Sequence, residues 1–379
     1  MYEFYTSSSK IPVKFNIYSH IFNNEFNIGF FKPIKDLCDK CELFKTTKEP
    51  SPDDINKHDH HIRQKELCKN ERDRDRTRFL NDVQVGIVTF ELQNTFSLPK
   101  ANVSNFYYKT KRSCYNLTAH LSNTKVVYNA LWHEFSAGRG ANHIAAAIFK
   151  ILTQIMIDNP QLKSLILWSD SCVPQNKNSI MSFALQYFLN SIKSKDLETI
   201  EQKFSEPGHG NIQEIDNAHS LIEKHIRNIE IWSPISLVRQ LLLIPSSWKL
   251  KFKVIQMQPN DYFDFQKISK ALNYKTIPYT RLKHIIYNKG NINNIEFREK
   301  FEGDFTKAKM YRFVSRKKNE IKVVPYHFSE ELPVANQEFK IAELKRKHLS
   351  EIVSYVPHED EKAFYNALLS NKKSAVIIE

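Results

Sequence analysis

Two stretches decide the fold: Val85-Gly-Ile-Val-Thr-Phe-Glu-Leu92 and, further along, Leu162-Lys-Ser-Leu-Ile-Leu-Trp-Ser-Asp170. Each is a short, largely apolar run of strand length, and each carries a carboxylate at its end, before turn-forming or small polar residues. Between them, Phe106-Tyr-Tyr-Lys-Thr-Lys111 with the run 114–121 reads as a second strand region. Lys125-Val-Val-Tyr-Asn-Ala-Leu-Trp-His-Glu134 reads as a third, and 141–157 as a helix apolar on nearly every face. Beyond Asp170 the pattern gives a helix over 176–194, a short strand over 200–206 and an amphipathic helix over 212–231. That last helix has Ile215, Ala218, Leu221, Ile222, Ile226 and Ile229 on its buried side.

The resulting order, β-β-β-α-β-α-β-α, is an α/β class and resembles the ribonuclease H-like arrangement, a mixed sheet with helices on both faces. The core is expected over 81–240. Residues 1–80 form a helical N-terminal region in which the sign-alternating stretch 63–78 predicts an exposed helix. Residues 241–379 form a basic, mixed α+β region. Its stretches 248–256 and 309–325 alternate Lys or Arg with apolar residues, a pattern that serves either a nucleic-acid surface or the protection of a sheet edge. Two short helices separated by Pro357 close the chain.

Composition narrows the function. With 379 residues, 41% hydrophobic and 26% charged, the chain is long enough for a sizeable core, and disorder as its main state is excluded. Its eight glycines assemble neither a G-x-x-x-x-G-K-[ST] nor a G-x-G-x-x-G cradle, so no nucleotide cofactor is expected. A net charge of +13 and a pI near 9.3 point to a polyanionic partner, with DNA the first candidate. The N-terminus lacks the basic-then-apolar pattern of a signal peptide. The most apolar window, 144–157, is interrupted by Lys150 and Gln154 and is too short to span a bilayer. Five scattered cysteines make no disulfide framework, so a soluble intracellular protein of a reducing compartment is expected, with no membrane partner.

In a sheet of this order, the ends of the first and fourth strands and the start of the last helix converge, and each carries an acid: Glu91, Asp170 and Asp216. Three carboxylates held together repel one another unless cations neutralise them, which predicts a Mg or Mn site for phosphodiester chemistry. Each acid also has a plainer reading: a solvated strand end for Glu91, an Asx-turn for Asp170, and the polar face of a surface helix for Asp216. His219, on the same helix face as Asp216, or His209 is the candidate for proton handling. Glu223 follows Asp216 by about 10 Å along a helix, too far to serve the same ion.

Cys38-x-x-Cys41, His61 and Cys68 have the spacing of a zinc set, the second pair being looser than usual. Two buried thiols beside a solvated His run are the alternative. Cys114 and Cys172 read as small buried apolar residues. Lys100, Lys109, Lys111, Arg112, Arg139, Lys177 and the cations of 249–318 could line a groove for phosphates, with Tyr107, Tyr108 and Trp168 for stacking.

Several phrases carry a further resemblance. They are Phe31-Lys-Pro-Ile-Lys-Asp-Leu-Cys-Asp-Lys-Cys41, Phe90-Glu-Leu-Gln…Leu98-Pro, Phe106-Tyr-Tyr…Tyr115-Asn-Leu-Thr, Trp132-His-Glu…Gly138-Arg-Gly, Trp168-Ser-Asp-Ser-Cys-Val-Pro-Gln-Asn-Lys-Asn178 and Gly208-His-Gly…Asp216…His219…Ile222-Glu, with the closing Lys345-Arg-Lys-His-Leu…Val356-Pro…Phe364-Tyr. Together they resemble a family of transposon-derived animal proteins whose shared region is a ribonuclease H-like domain of unknown function, itself similar to Asp-Asp-Glu/Asp transposases. The resemblance implies metal-dependent DNA strand cleavage or transfer by a carboxylate triad, in the nucleus and with homo-oligomers an option. The family usually has aspartate where this chain has Glu91, which shifts the carboxylate by one methylene and implies impaired turnover. The alternatives are a domesticated, non-catalytic DNA- or chromatin-binding protein and a protein-interaction scaffold. The closeness of the Cys pair to the start of the chain leaves little room for a separate DNA-reading domain before it.

Overall fold

The computed structural model describes residues 2–26, 37–208, 213–245, 249–291, 293–317, 320–324, 326–328, 331–335 and 341–370. The chain forms two compact units, Met1–Glu49 and Pro50–Glu379. The first holds α1 (Tyr2–Ser8), α2 (Phe15–Glu25) and α3 (Asp39–Thr46). Its apolar content is mainly aromatic: Tyr2 packs against Tyr5, Phe15 and Tyr18 with ring centroids 5.1–6.2 Å apart. The Tyr2 hydroxyl donates to the Val13 carbonyl at 2.9 Å.

The second unit opens with α4 (Pro52–Asn81), a thirty-residue helix. Ser51 and Asp54 form a reciprocal capping box at its start, Pro52 takes the first turn, and no glycine or further proline interrupts it. Then follow β1 (Val85–Leu92), β2 (Phe96–Leu98), β3 (Arg112–Leu121), β4 (Val126–His133), α5 (Ala141–Asp158), β5 (Ser164–Ser169), α6 (Ser179–Asn190), β6 (Thr199–Phe204), α7 (Gln213–Ile226) and α8 (Pro234–Leu242). The remainder is β7 (Lys251–Gln256), α9 (Phe265–Ser269), β8 (His284–Asn288), β9 (Asn294–Arg298), β10 (Thr306–Lys309), β11 (Arg312–Lys317), β12 (Glu320–Val324), α10 (Glu343–Val353) and α11 (Glu359–Leu369).

The architecture is α/β. Ten strands form one mixed sheet in the order β10-β9-β8-β6-β5-β1-β3-β4-β7, with β2 beside β3, while β11 and β12 form a separate ribbon. At the centre β1 pairs parallel with β5 and β5 parallel with β6, while β3 runs antiparallel to both β1 and β4. Strands β7 and β8–β10 continue the sheet outward on its two sides, and α4 belongs to the sheet's unit. Residues 104–108 form a 3₁₀ turn rather than the start of a strand, and β3 begins only at Arg112.

Because side chains alternate across a strand, the sheet has two chemically different faces. One carries Val88, Phe90, Leu117, Ala119, Tyr128, Ala130, Leu165, Leu167 and Ile200, and packs on α5 and α6 in the main core. The other carries Thr89, Glu91, Thr118, Asn129, Trp168, Lys203 and His284, aligned by register across six strands. Helix α4 covers part of this polar face, and its fit there is electrostatic. Lys203, 1% exposed, donates to Glu71 at 2.8 Å and to Asp75 at 2.7 Å, and lies 3.4 Å from Glu201. Asp75 also accepts the Trp168 indole N–H at 2.9 Å, Arg298 bonds Glu71 at 2.9 Å, and Arg78 bonds Glu201 at 2.8 Å. Burial works to raise the Glu201 carboxyl, yet His284, Lys203 and Arg78 hold it well below the usual carboxylate range. The expected exposed helix is therefore exposed on one side only, its other face supplying buried acids to cations from distant strands. Among the described residues no helix is long and apolar enough to cross a membrane.

Removing one member of such a network strands the others in low dielectric. Lys203→Met is expected to lower unfolding free energy by about 3–5 kcal/mol, measured by chemical denaturation. A loss below about 1 kcal/mol, the scale of an exposed ion pair, would show that Lys203 is not the hub.

Candidate functional site

Glu91 stands one residue before the end of β1, on the polar face, paired across to Thr118 of β3. The parallel register between β1 and β5 aligns Thr89 with Trp168, and one more repeat of it sets Asp170 beside Glu91, just past the end of β5. Asp216 lies in the first turn of α7, which packs on β1 and β3. The three acids feel one another: the Glu91 carboxyl is pushed up to about 7, first by burial and then by the charges of Asp170 and Asp216. Asp170 realises the turn that its plainer reading required, since its Oδ1 accepts from the Cys172 backbone N–H at 3.2 Å and from Asn176 Nδ2 at 2.5 Å. Both bonds fall on one oxygen, which fixes the carboxylate, and Oδ2 accepts no hydrogen bond among the described residues. An ion could therefore take Oδ2 without unmaking the turn.

His219 lies one turn of α7 beyond Asp216. Burial pulls its imidazole down to about 4, so it is neutral at ordinary pH, and its buried Nε2 has no partner among the described residues. His209, the other sequence candidate, lies outside the described residues. Arg72 of α4 bonds Glu214 at 2.8 Å and is within electrostatic reach of Asp216. Arg76 bonds the second Glu214 oxygen at 2.7 Å, so two arginines of α4 hold the first turn of α7 against the sheet.

Sequence reasoning missed a buried polar ladder that runs away from Glu91. Asn116 Nδ2 donates to Gln93 at 3.0 Å and to Asn129 at 3.1 Å, and Asn129 passes on to the Lys253 carbonyl at 3.2 Å. Gln93 Nε2 and Asn116 Oδ1 are buried with no partner among the described residues. Groups of this kind are costly to bury unless something satisfies them. The available signal was the polar alternation of Glu91 at the end of one strand and Gln93 just after it, with Asn116 and Thr118 in the next.

Other expectations need correction. Arg112 is fully buried and lines no groove: its guanidinium lies 4.5–5.5 Å from the ring centroids of Phe135, Phe364 and Tyr365, and burial lowers it to about 10. Lys177 is buried over the Phe204 ring with its ammonium on the Thr280 carbonyl, and burial lowers it to about 8. Lys100 caps the C-terminal end of α7 through the carbonyls of Ile226, Arg227 and Ile229, and Lys109 pairs with Glu351. Trp168 is buried and cannot stack on a base, whereas Tyr107 and Tyr108 are exposed as expected. Cys114 is buried, but Cys172 is only half-buried. Of the zinc set, Cys38 and Cys41 belong to the first unit, beside and within the first turn of α3. His61 and Cys68 both lie on α4, seven residues and so about 10 Å apart along its axis. Burial also raises the Cys68 thiol, against the thiolate a metal needs. The described residues include acids and thiols that could hold a metal, of which the carboxylate set is built within a single unit.

Compared with protein-family models, curated proteins and solved structures, the chain matches none.

The raised Glu91 carboxyl fixes a pH dependence. The folded chain keeps this proton up to about 7 while the unfolded chain releases it near 4.5, so the native state binds more protons in that window. Its contribution is fully present below the unfolded value and is lost as pH rises through the folded one. In metal-free buffer the Glu91→Gln variant is expected to lose less melting temperature than wild type between about pH 5 and about pH 8. Parallel curves for the two proteins would show that Glu91 is not the perturbed group.

Proposed function

We propose that this chain is a transposase-derived, ribonuclease H-like protein that cuts or joins DNA strands with Mg or Mn held by Glu91, Asp170 and Asp216. The observation that carries the reading is the convergence of three carboxylates from β1, β5 and α7, felt in the raised Glu91 carboxyl. The central strand order β4-β3-β1-β5-β6, with its parallel and antiparallel sense, supports the ribonuclease H-like part, being the order that such a resemblance implies. The surplus of 55 Lys and Arg over 42 Asp and Glu supports a polyanionic partner.

The residues fit a divalent cation in charge and in donor chemistry: three acids, one of which burial and then the repulsion of the other two push toward the protonated form, and an Asp170 oxygen left over from its turn. When bound, the ion would polarise the phosphodiester and lower the pKa of an attacking water or 3′-hydroxyl. Asp170, fixed by Cys172 and Asn176, orients one ligand rigidly. Glu91 must release its proton before it can serve as a ligand, so cation binding strengthens as pH rises through about 7. His219, neutral and with an unpartnered Nε2, is suited to accept or pass a proton beside Asp216.

Arg72 favours a second reading, that of a domesticated, non-catalytic DNA- or chromatin-binding protein of the nucleus. A fixed guanidinium near Asp216 supplies part of the positive charge that a metal would bring, and the longer Glu91 carboxylate displaces a ligand. Zinc on Cys38 and Cys41 is carried as a proposal on their spacing alone. Metal analysis of the purified chain should show zinc that falls in the Cys38→Ser, Cys41→Ser double variant.

Nicking of supercoiled plasmid in Mn²⁺ separates the two main readings. Asp170→Asn is expected to abolish nicking and Glu91→Asp to raise it, by up to about a hundredfold if an ångström of misplacement is being repaired. If neither wild type nor Glu91→Asp nicks DNA, and Mn²⁺ does not raise the melting temperature, the catalytic reading is wrong. DNA binding that weakens steeply with salt then leaves the binding protein standing, and a flat salt response leaves the protein-interaction scaffold.

A further inference from the structure

A second site lies on the same sheet face but apart from the carboxylates. Between the C-terminal turns of α4, the β3–β4 turn, the start of α7 and the segment leading into β7 is a cavity of about 630 Å³, and none of Glu91, Asp170 and Asp216 lines it. Its size is that of a pocket for a small organic molecule. Three cations line it: Arg76, Lys125 and Lys249. Arg76 is already engaged by Glu214 and Asp73. Lys125 and Lys249 make no ion pair among the described residues. His120, at its wall, is 5% exposed, and neither ring nitrogen has a hydrogen-bond partner among the described residues. The one acid on the wall, Glu214, is spent on Arg72 and Arg76.

The backbone singles out the same two lysines. Among the described residues only Lys125 (φ 56°) and Lys249 (φ 67°) are non-glycine residues at positive φ. Lysine has no preference for that conformation, where glycine or asparagine would sit more easily. Two lysines held there, at two separate turns, both facing one cavity beside an unpartnered buried histidine, mark a site that retains cationic side chains against local backbone preference. The rest of the wall is the apolar Phe79, Leu80 and Leu250 with two polar residues, Ser122 and Asn217. A ligand that matches this lining has an anionic group for the two lysines and a flat apolar part for Phe79 and the leucines.

We propose that this cavity binds a nucleoside monophosphate group, its phosphate on Lys125 and Lys249 and its base against Phe79, Leu80 and Leu250. The group is either a free nucleotide or the 5′-terminal nucleotide of a strand. The site is independent of the carboxylates and of whether the chain cuts DNA.

Calorimetric titration of the full-length protein with AMP, inorganic phosphate and adenosine tests it. AMP is expected to bind, phosphate more weakly and adenosine at least about tenfold more weakly than AMP, one charge-assisted contact being worth about that factor or more. AMP should raise the melting temperature by about 2 °C or more near saturation. Lys249→Gln should weaken AMP by about tenfold. Lys125→Gly is the variant least able to fail by misfolding, because glycine suits positive φ: it should raise the melting temperature of the free protein while weakening AMP. Asp170→Asn should leave AMP binding unchanged, which keeps this result separate from the outcome of the nicking assay. A 5′-phosphorylated single-stranded oligonucleotide that competes with AMP identifies a strand end as the source, and one that does not compete identifies a free nucleotide. Adenosine binding as tightly as AMP, AMP binding unaltered in the Lys125→Gly, Lys249→Gln double variant, or no binding by AMP or phosphate would each overturn the proposal.

Discussion

The ammonium of Lys203 is buried on the polar face of the sheet among Glu71, Asp75 and Glu201. A charge in that position is tolerable only if its partners are held in place, and two of those partners are on α4. The helix is therefore held by the sheet's charged groups together with the packing of Leu67, Cys68 and Phe79 against Val85, Ile87, Ile166 and Trp168. Once α4 is placed, Arg72 and Arg76 fall where they can grip Glu214, and Glu214 opens the helix that carries Asp216. The position of one candidate metal ligand thus depends, through two helices and two sets of ion pairs, on a lysine of a neighbouring strand. Arg298 and His284 extend the same set to β8 and β9, so the outer strands are tied to the centre by charge as well as by the ladder.

How far the fold could be read from sequence follows from where each signal is stored. The runs at 85–92 and 164–169 are strands because their apolar residues are contiguous, and the acids at their ends stand where the strands leave the core. These are local facts. The face of α4 is different: its alternating signs look solvated because its partners, Lys203, Glu201 and Arg298, lie more than a hundred residues further on. Arg112 and Lys177 misled for the same reason, since each cation is sheathed by aromatic rings contributed from elsewhere in the chain. The spacing of His61 and Cys68 is set by α4. A helix continuous through both residues places them two turns apart, and the sequence between them carries no breaker that would have bent it.

The site was legible to the extent that it depends on strand ends. Glu91 and Asp170 follow from the register of two parallel strands, whereas Asp216 requires the helix after β6 to return over the sheet. Nothing in the sequence showed that Asp170 divides its labour, one oxygen spent on its own turn and the other left over. Nor was the ladder of Gln93, Asn116 and Asn129 visible, because single amides in strands usually face water and only the pairing of β1, β3 and β4 puts these three together in the dark.

Trp168 gives the molecule a property unrelated to its chemistry. Its indole N–H rests on Asp75 of α4, the Arg72 guanidinium lies 5.4 Å from its ring on one side and the Lys203 ammonium 6.0 Å away, and it is 1% exposed. Among the described tryptophans it is the one whose surroundings change completely if α4 leaves the sheet, because Trp132 lies in the apolar core on the opposite face and Trp232 packs against Phe106. Its fluorescence is therefore a built-in gauge of helix docking. Emission should be blue and poorly quenched by iodide while α4 is seated, and should shift toward the red when water reaches the indole. The movement of one helix can be followed optically in the natural protein, with no label added.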